Sequence, residues 1–304
     1  MNERRKSTLM LVVSMAIFGT IGAFVKNIAL SSAEKALYRA IMATVVIGLF
    51  LLIKKQKIEI KKIKRELALL LLSGVAMAFN WILLFEAYKY TTVSTATLAY
   101  YFAPVIVTVA CPFLFKEKIG AKQWICFAMS TVGIVLITVT TESAPPTHFL
   151  GILFGLGAAI LYATVILLNK SLKTVEGISR TFIQFIAAVI VLIPYVLLTS
   201  GINITSLNAT GAVNLVIVGV IHTGVTYCLY FSSLKELPGQ HAAILSYIDP
   251  LVAVIVSVTV LNETMTLMQI IGGALILGFT VWNELDAKTL IAIKEKILKN
   301  KKSK

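Results

Sequence analysis

The chain has 304 residues, 58% of them hydrophobic, and a mean hydropathy of +0.89. Soluble domains are about 45–50% apolar, so this composition excludes an ordinary soluble protein, and no stretch of soluble composition is long enough to form a second domain. The net charge of +14 would suit a nucleic-acid binder, but the basic residues sit in short loops and at the two ends, where they serve membrane orientation, and no nucleic-acid partner is expected.

Apolar stretches of roughly 20 residues recur along the whole length, each able to cross a bilayer core about 30 Å thick. The first, 8–28, follows the basic start "MNERRK". It resembles a signal peptide, but the run is long, lacks a small-residue cleavage site and precedes further spans, so it reads as a retained first helix. Span two, 34–53, carries Arg39. Lys26 and Arg39 flank the first outer loop, and snorkelling to the interface is the default for both. Arg39 lies deeper and could meet a substrate carboxylate or Glu86. The longest loop, "KKQKIEIKKIKRE", fills 54–66. Span three, 67–88, holds Asn80 and Trp81 in its middle and Glu86 near its outer end. Lys89 follows Glu86 by three residues, a spacing for pairing across one helical turn; an outer gate is the alternative.

Span four, 93–115, contains Tyr100, Tyr101 and Pro104; spans five to seven cover 120–139, 149–169 and 180–199. Span eight, 211–233, places His222 mid-span, near Tyr227 and Tyr230. An isolated histidine there is a satisfied core residue or, alternatively, a coupling or gating group. Span nine, 239–261, holds Tyr247, Asp249 and Pro250, and span ten covers 266–285. Glu117 and Glu263 recur at the starts of spans five and ten, where an acid complements the positive end of a helix dipole. The tail 286–304 spaces Ile291, Ile293, Ile297 and Leu298 among lysines. It is a solvated tail or a basic helix on an anionic inner leaflet. Cys111, Cys126 and Cys228 lie in apolar spans without metal spacing and read as core residues, so neither metal nor cofactor is expected.

Lysine and arginine placement sets the orientation. With the N-terminus inside, all but Lys26, Lys35, Arg39 and Lys89 of the 28 fall on the inner side. Cytoplasmic N- and C-termini follow, and they require an even number of spans.

A shift of 146 residues lays "LLFEAYKYTTVSTATLAYYFAPVIV" over "LYFSSLKELPGQHAAILSYIDPLVA" without a gap. Lys89 meets Lys235, Ala96 meets Ala242, Tyr101 meets Tyr247, Pro104 meets Pro250, and Gln123 meets Gln269. The halves are 8–139 and 149–285, with 286–304 as a basic cytoplasmic tail. Five spans per half is odd, so the second copy enters from the opposite side, an inverted repeat as in many secondary transporters. Pro104 and Pro250 then become matched helix breaks, freeing the carbonyls of Tyr100 and Ser246. The expected fold is all-α, ten transmembrane helices in two inverted five-helix repeats.

These residues carry a resemblance. "NWILLFEAYKYTTVSTATLAYYFAPVIV", continued by "FKEKIGAKQWICFAMSTVGIVLI" and echoed in "LKELPGQHAAILSYIDPLVAVIVSVTVLNETMTLMQIIGGALIL", resembles the drug/metabolite transporter superfamily in its ten-helix EamA-type branch. The resemblance covers nearly the whole chain. It implies a bacterial inner-membrane carrier of amino acids, related metabolites, sugars or drugs, often moving them outward. It also implies a central cavity lined by helices one, three, four, six, eight and nine.

Polar groups within the spans are the candidates for chemistry. Asp249 is matched by Ala103, so the repeat does not demand an acid there; Asp249 could bind a substrate ammonium, carry a proton, or cap the broken segment. Asn80 and Trp81 are matched by Thr226 and Tyr227. With Tyr100, Tyr101, Tyr230 and Tyr247 they could orient a polar ligand, helix-to-helix bonding being the alternative for the polar ones. Asp249, Glu86, Arg39 and His222 are the coupling or gate candidates. The expectation is a plasma-membrane secondary transporter of small polar metabolites, an exporter or exchanger of amino acids or related compounds, monomeric or homodimeric, with proton coupling open. A drug or sugar/nucleoside carrier of the same fold is the alternative. A membrane-embedded enzyme lacks an HExxH motif or a nucleophile–base set, and a channel lacks a filter.

Overall fold

The computed structural model describes residues 3–56, 60–116, 120–138, 147–175, 177–237 and 239–285, with the backbone alone for 60–63, 65, 239 and 240. Residues 57–59 of the long loop, Glu117 and the tail 286–304 lie outside the described residues. Among the described residues there is no strand, and ten helical spans are long and apolar enough to cross a membrane.

Seven spans contain a single helix: α1 (Glu3–Lys26), α2 (Ser32–Ile53), α3 (Ile60–Tyr90), α6 (Ala121–Thr138), α7 (His148–Ser171), α8 (Gly177–Thr199) and α13 (Leu267–Glu284). Helix α3 begins earlier than the expected loop end at 66. Lysine, arginine and glutamate are good helix formers, and "IKKIKRE" continues the helix beyond the apolar run. Three spans are composite. Span four is α4 (Val93–Tyr100) followed by α5 (Ala103–Phe115), and span nine is α11 (Gly239–Ser246) followed by α12 (Ile248–Thr259). Span eight joins α9 (Ala209–Val216) and α10 (Thr226–Ser233) through a π-helical stretch, Ile217–Val225.

Local chemistry starts these helices. Ser31 and Glu34 form a capping box at α2, and Thr266 and Gln269 form one at α13. Gln123 repeats the second half of that motif, accepting the Gly120 N–H at 3.0 Å. Thr92 and Asn208 cap α4 and α9 with side-chain oxygens.

Lipid tails are as apolar as leucine, so helix association in a membrane rests on close packing and polar contacts. Leu198 and Phe113, 86% and 81% exposed, belong to the outer apolar surface. Inside, α3 packs on α7 and α8, α6 on α13, α1 on α12, and α2 on α8. Gly133 of α6 and Gly272 of α13 face one another so closely that a Cβ on either would stand under 3 Å from the other's carbonyl oxygen. Gly19 serves the site directly: a Cβ there would lie 2.5 Å from the Asp249 carbonyl oxygen. That glycine lets α1 press against the break in span nine.

Candidate functional site

Both broken spans interrupt at matched places. In span four, Tyr101 and Phe102 separate α4 from α5, and Pro104 stands in the first turn of α5. In span nine, Tyr247 separates α11 from α12, and Pro250 stands in the first turn of α12. A first-turn proline lacks only an N–H that would have no helical partner, and it fixes a suitable φ. Each proline therefore suits the start of the second segment while preventing continuation from the first.

A cavity of about 390 Å³ lies against these breaks. This volume falls within the roughly 300–1,000 Å³ of small-molecule sites. Trp81, Tyr100, Tyr101, Tyr227, Tyr230 and Tyr247 line it, together with Asp249, Arg39 and Pro104. Tyr101 donates its hydroxyl to Asp249 Oδ2 at 2.5 Å. No other donor among the described residues reaches the carboxylate. The Tyr101 and Tyr247 rings sit 6.4 Å apart across the two breaks.

Arg39 is 5% exposed and occupies the same cavity. Its Nε donates to Thr223 Oγ1 at 2.8 Å, and its guanidinium lies 4.4 Å from the centre of the Trp81 ring. The Thr223 hydroxyl in turn donates to the Val218 carbonyl within the π-helical stretch. The terminal nitrogens of Arg39 take no hydrogen-bond partner among the described residues. One cavity thus holds a guanidinium and a carboxyl group, each with unused hydrogen-bonding capacity, amid aromatic walls.

Other candidates lie elsewhere. Asn80 does not line the cavity; its Nδ2 donates to the Ala158 carbonyl at 2.6 Å, joining α3 to α7. Its counterpart Thr226 donates to the Ile221 carbonyl in its own span. The neighbours Trp81 and Tyr227 instead face the cavity, so one position of each matched pair packs and the next lines the site. His222 is buried and satisfied: Nε2 meets Thr20 Oγ1 at 2.8 Å and Nδ1 meets the Ile217 carbonyl at 3.3 Å. Glu86 pairs with Lys89 at 3.0 Å, outside the cavity. Arg39 makes no hydrogen bond or ion pair with Glu86 among the described residues. Pro250 is buried and does not line the cavity.

Glu263 requires a correction. It does not complement the start of the last helix, which Thr266 and Gln269 cap. It accepts the Val93 N–H of α4 at 2.8 Å, pairs with Lys26 at the end of α1, and accepts the Ser257 hydroxyl of α12. The acid neutralises an orphan donor at another helix's N-terminus and ties three elements together at one end of the bundle. Tyr88, Tyr162, Thr108 and Glu284 also line the cavity. Tyr88 is two residues from the end of α3 and Glu284 is the last residue of α13, so both stand near helix ends. Nothing in their spacing distinguished them.

The EamA-like transporter family matches the chain over residues 5–139 and again over 149–283. The chain belongs to this family. The uncharacterized transporter YxxF of Bacillus subtilis is 31% identical over 275 residues, covering 89% of this chain and 88% of the relative. An uncharacterized transporter of Archaeoglobus fulgidus is 29% identical over 280 residues, covering 90% and 95%. A solved crystal structure of a protein superposes with a TM-score of 0.61 at 15% identity, covering 90% of this chain and 96% of its own, a likeness of fold. This EamA-like transporter is a multi-pass membrane protein.

Proposed function

We propose that the protein is a secondary active transporter of small zwitterionic metabolites, amino acids or related compounds, working by alternating access around the Asp249–Arg39 cavity. The observation that carries this reading is the presence of the Asp249 carboxyl and the Arg39 guanidinium, each with unused hydrogen-bonding capacity, in one cavity between two broken helices. An ammonium suits the Asp249 carboxylate and a carboxylate suits the Arg39 guanidinium; a ligand with both satisfies each buried charge. The tyrosine and tryptophan faces suit its carbon skeleton.

Two inverted five-helix repeats, 8–139 and 149–285, supply the moving parts. The packing pattern supports this: under the 146-residue shift, α2 on α8 and α6 on α13 map onto themselves, and α1 on α12 maps onto α7 on α5. Two similar bundles of opposite orientation can rock about a shared site. The termini face the cytoplasm, by the distribution of lysine and arginine, and the membrane is the plasma membrane, as the resemblance to the family implies. In a background without native cysteines, Lys57→Cys should resist an impermeant thiol reagent in intact cells; labelling overturns the orientation.

Counterflow in proteoliposomes tests the substrate class. Vesicles preloaded with an unlabelled amino acid should accumulate the labelled one transiently, whereas its decarboxylated amine and its N-acetyl derivative should be poor substrates. Counterflow of sugars or nucleosides but no amino acid overturns the zwitterion reading. Ion conductance without counterflow overturns the carrier reading.

A further inference from the structure

We infer that Glu263 and Lys26 form a latch that holds the cavity shut at the end of the bundle where α1 finishes, and that the latch parts when the carrier opens there. The inference rests on the alternating-access reading and on the orientation above, which makes this the outer end. The other gate candidate, Glu86, pairs with Lys89 of its own helix and so joins no two elements. Glu263 joins the two halves. Its carboxylate accepts the Val93 N–H of α4 at 2.8 Å and the hydroxyl of Ser257 of α12, and it pairs with Lys26 of α1. The Ser94 N–H of α4 donates to the Ser257 hydroxyl at 3.3 Å. Lys26, Val93 and Ser94 of the first half are thereby tied to Ser257 and Glu263 of the second. The tie falls on α4 and α12, the segments of the two broken spans that lie on the outer side of their breaks.

The acid is held in place by the backbone. Asn262 adopts a left-handed conformation, φ 53°, which asparagine tolerates better than most residues. The turn lets the Glu263 N–H donate to the Ser257 carbonyl at 3.0 Å while the carboxylate meets the same residue's hydroxyl. Glu263 is therefore fixed to the end of α12. Its side chain is 9% exposed, so solvent screens this ion pair less than a fully exposed one. Gly22 lets α1 press on the start of α4, where a Cβ would collide with the Val93 side chain.

The cavity lies to one side of this seal. Lys26, Val93, Ser94, Ser257 and Glu263 do not line it. Tyr88 does, and it stands near both Arg39 and Glu263, linking the substrate site to the latch. Towards the other end the lining continues past both breaks, through Thr108 of α5 and Ala243 of α11, to Glu284 at the close of α13. A contact made in only one of two states biases the balance towards that state, and removing it moves the balance towards the other.

Ala253, a small residue of α12 that lines the cavity, can carry the probe. The full-length Ala253→Cys parent, without native cysteines, is treated with an impermeant thiol reagent in intact cells to read the outer face and in inside-out vesicles to read the inner face. The Lys57→Cys assay assigns the two faces independently. Glu263→Gln should raise outer labelling about tenfold, the joint effect of losing a carboxylate at a helix N-terminus and its ion pair, and should lower inner labelling. Lys26→Gln loses the ion pair alone and should act in the same sense, about threefold. Lys26→Arg keeps the pair and should label like the parent. Should Glu263→Gln fail to reach the membrane, Lys26→Gln decides alone. Opposite changes on the two faces mark a shift between states, whereas a loosened bundle would label faster from both. Labelling reads the seal whether or not the parent shows counterflow, so failure of the carrier reading is seen separately from failure of the latch. The latch is overturned if the Gln variants label like the parent from outside, if labelling rises on both faces, or if Lys26→Arg acts like Lys26→Gln.

Discussion

The two halves of this transporter share a scaffold and differ in charge. Arg39 of α2 has Phe185 of α8 as its repeat counterpart, and Asp249 of span nine has Ala103 of span four. The contacts are matched even where the chemistry is not. Arg39 lies on Trp81, while Phe185 packs edge-on against Tyr227 at 5.3 Å, the matched pair of the second half. Phe185 also meets Trp81 at 5.2 Å, so it bridges the two aromatic residues at no cost of buried charge. Tyr101 bonds Asp249 across the break, whereas the place matched to Asp249 in the other half is Ala103, and the acid near Tyr247, the counterpart of Tyr101, is Glu284 of α13. Duplication therefore accounts for the breaks, the aromatic wall and the packing, and divergence accounts for a basic group, Arg39, from the first half and the acids Asp249 and Glu284 from the second. A substrate with both charges would be held by both halves at once, which is what the proposed rocking between them would act on.

Removing the anion breaks this comparison most severely. Asp249→Asn leaves the tyrosine network nearly isosteric but removes the counter-charge for a substrate ammonium. Losing one member of a buried charge pair costs enough to lower transport efficiency about 10²–10³-fold. Counterflow and pH-gradient-driven uptake should be measured together in proteoliposomes. Loss of both marks Asp249 as a ligand; loss of gradient-driven uptake with retained exchange marks it as the coupling group. Wild-type behaviour in both assays would leave the acid with a capping role only.

Changing the cation is the next step down. Arg39→Lys keeps the charge but loses the planar stack on Trp81 and the fork that can hold a carboxylate. Transport of an amino acid should fall about tenfold, mostly through a higher KM. Arg39→Phe copies the second half into the first and should favour amines without a carboxylate over zwitterions. Equal selectivity in wild type and Arg39→Phe would separate Arg39 from carboxylate recognition.

The scaffold was far more legible in the sequence than the site. Runs of some twenty apolar residues have few structural alternatives in a membrane, and matched prolines mark both breaks. Asp249 stood out because a charge in an apolar run is rare. Arg39 was harder, because the sixth residue of an apolar span is still compatible with snorkelling from sequence alone; its buried partner is Thr223, far away in the chain. Asn80 was indistinguishable from Trp81 by depth, and only the rotation of α3 decides which faces the cavity. His222 reads as an ionisable intruder, yet Thr20 and the Ile217 carbonyl satisfy it. Glu263 misled because an acid shortly before a helix usually serves that helix, while here the chain turns it towards α4. These outcomes depend on helix rotation and on partners in other spans, which local periodicity does not encode.

The prolines sharpen the comparison from the shared side. Pro104→Ala and Pro250→Ala each return an N–H and permit the two segments to straighten towards one helix. Straightening span four would carry the Tyr101 hydroxyl away from Asp249, and straightening span nine would move Asp249 itself. Each variant should reach the membrane at normal level and transport about fivefold more slowly, the size of effect a typical single substitution of about 1 kcal/mol produces. Wild-type rates in both, at equal protein, would reduce the prolines to packing features.

The smallest expected effect is at Ala103, the position matched to Asp249 in the repeat. Ala103 is 0% exposed and packs with Ala159 and Ala163 of α7. It does not line the cavity. The two matched positions therefore share a register but not an environment: one is sealed by a neighbouring helix and the other reaches the cavity. Ala103→Ser adds a single oxygen to this contact, and in a helix a serine hydroxyl can bond a carbonyl of the preceding turn. Its counterflow rate should stay within about twofold of wild type, and its selectivity among amino acid, amine and acylated derivative should not change. Loss comparable to Asp249→Asn would mean that position 103 also meets substrate during the cycle. In that case each half would present its break to the ligand in turn, and the division of charge between the halves would be a property of one conformation rather than of the carrier.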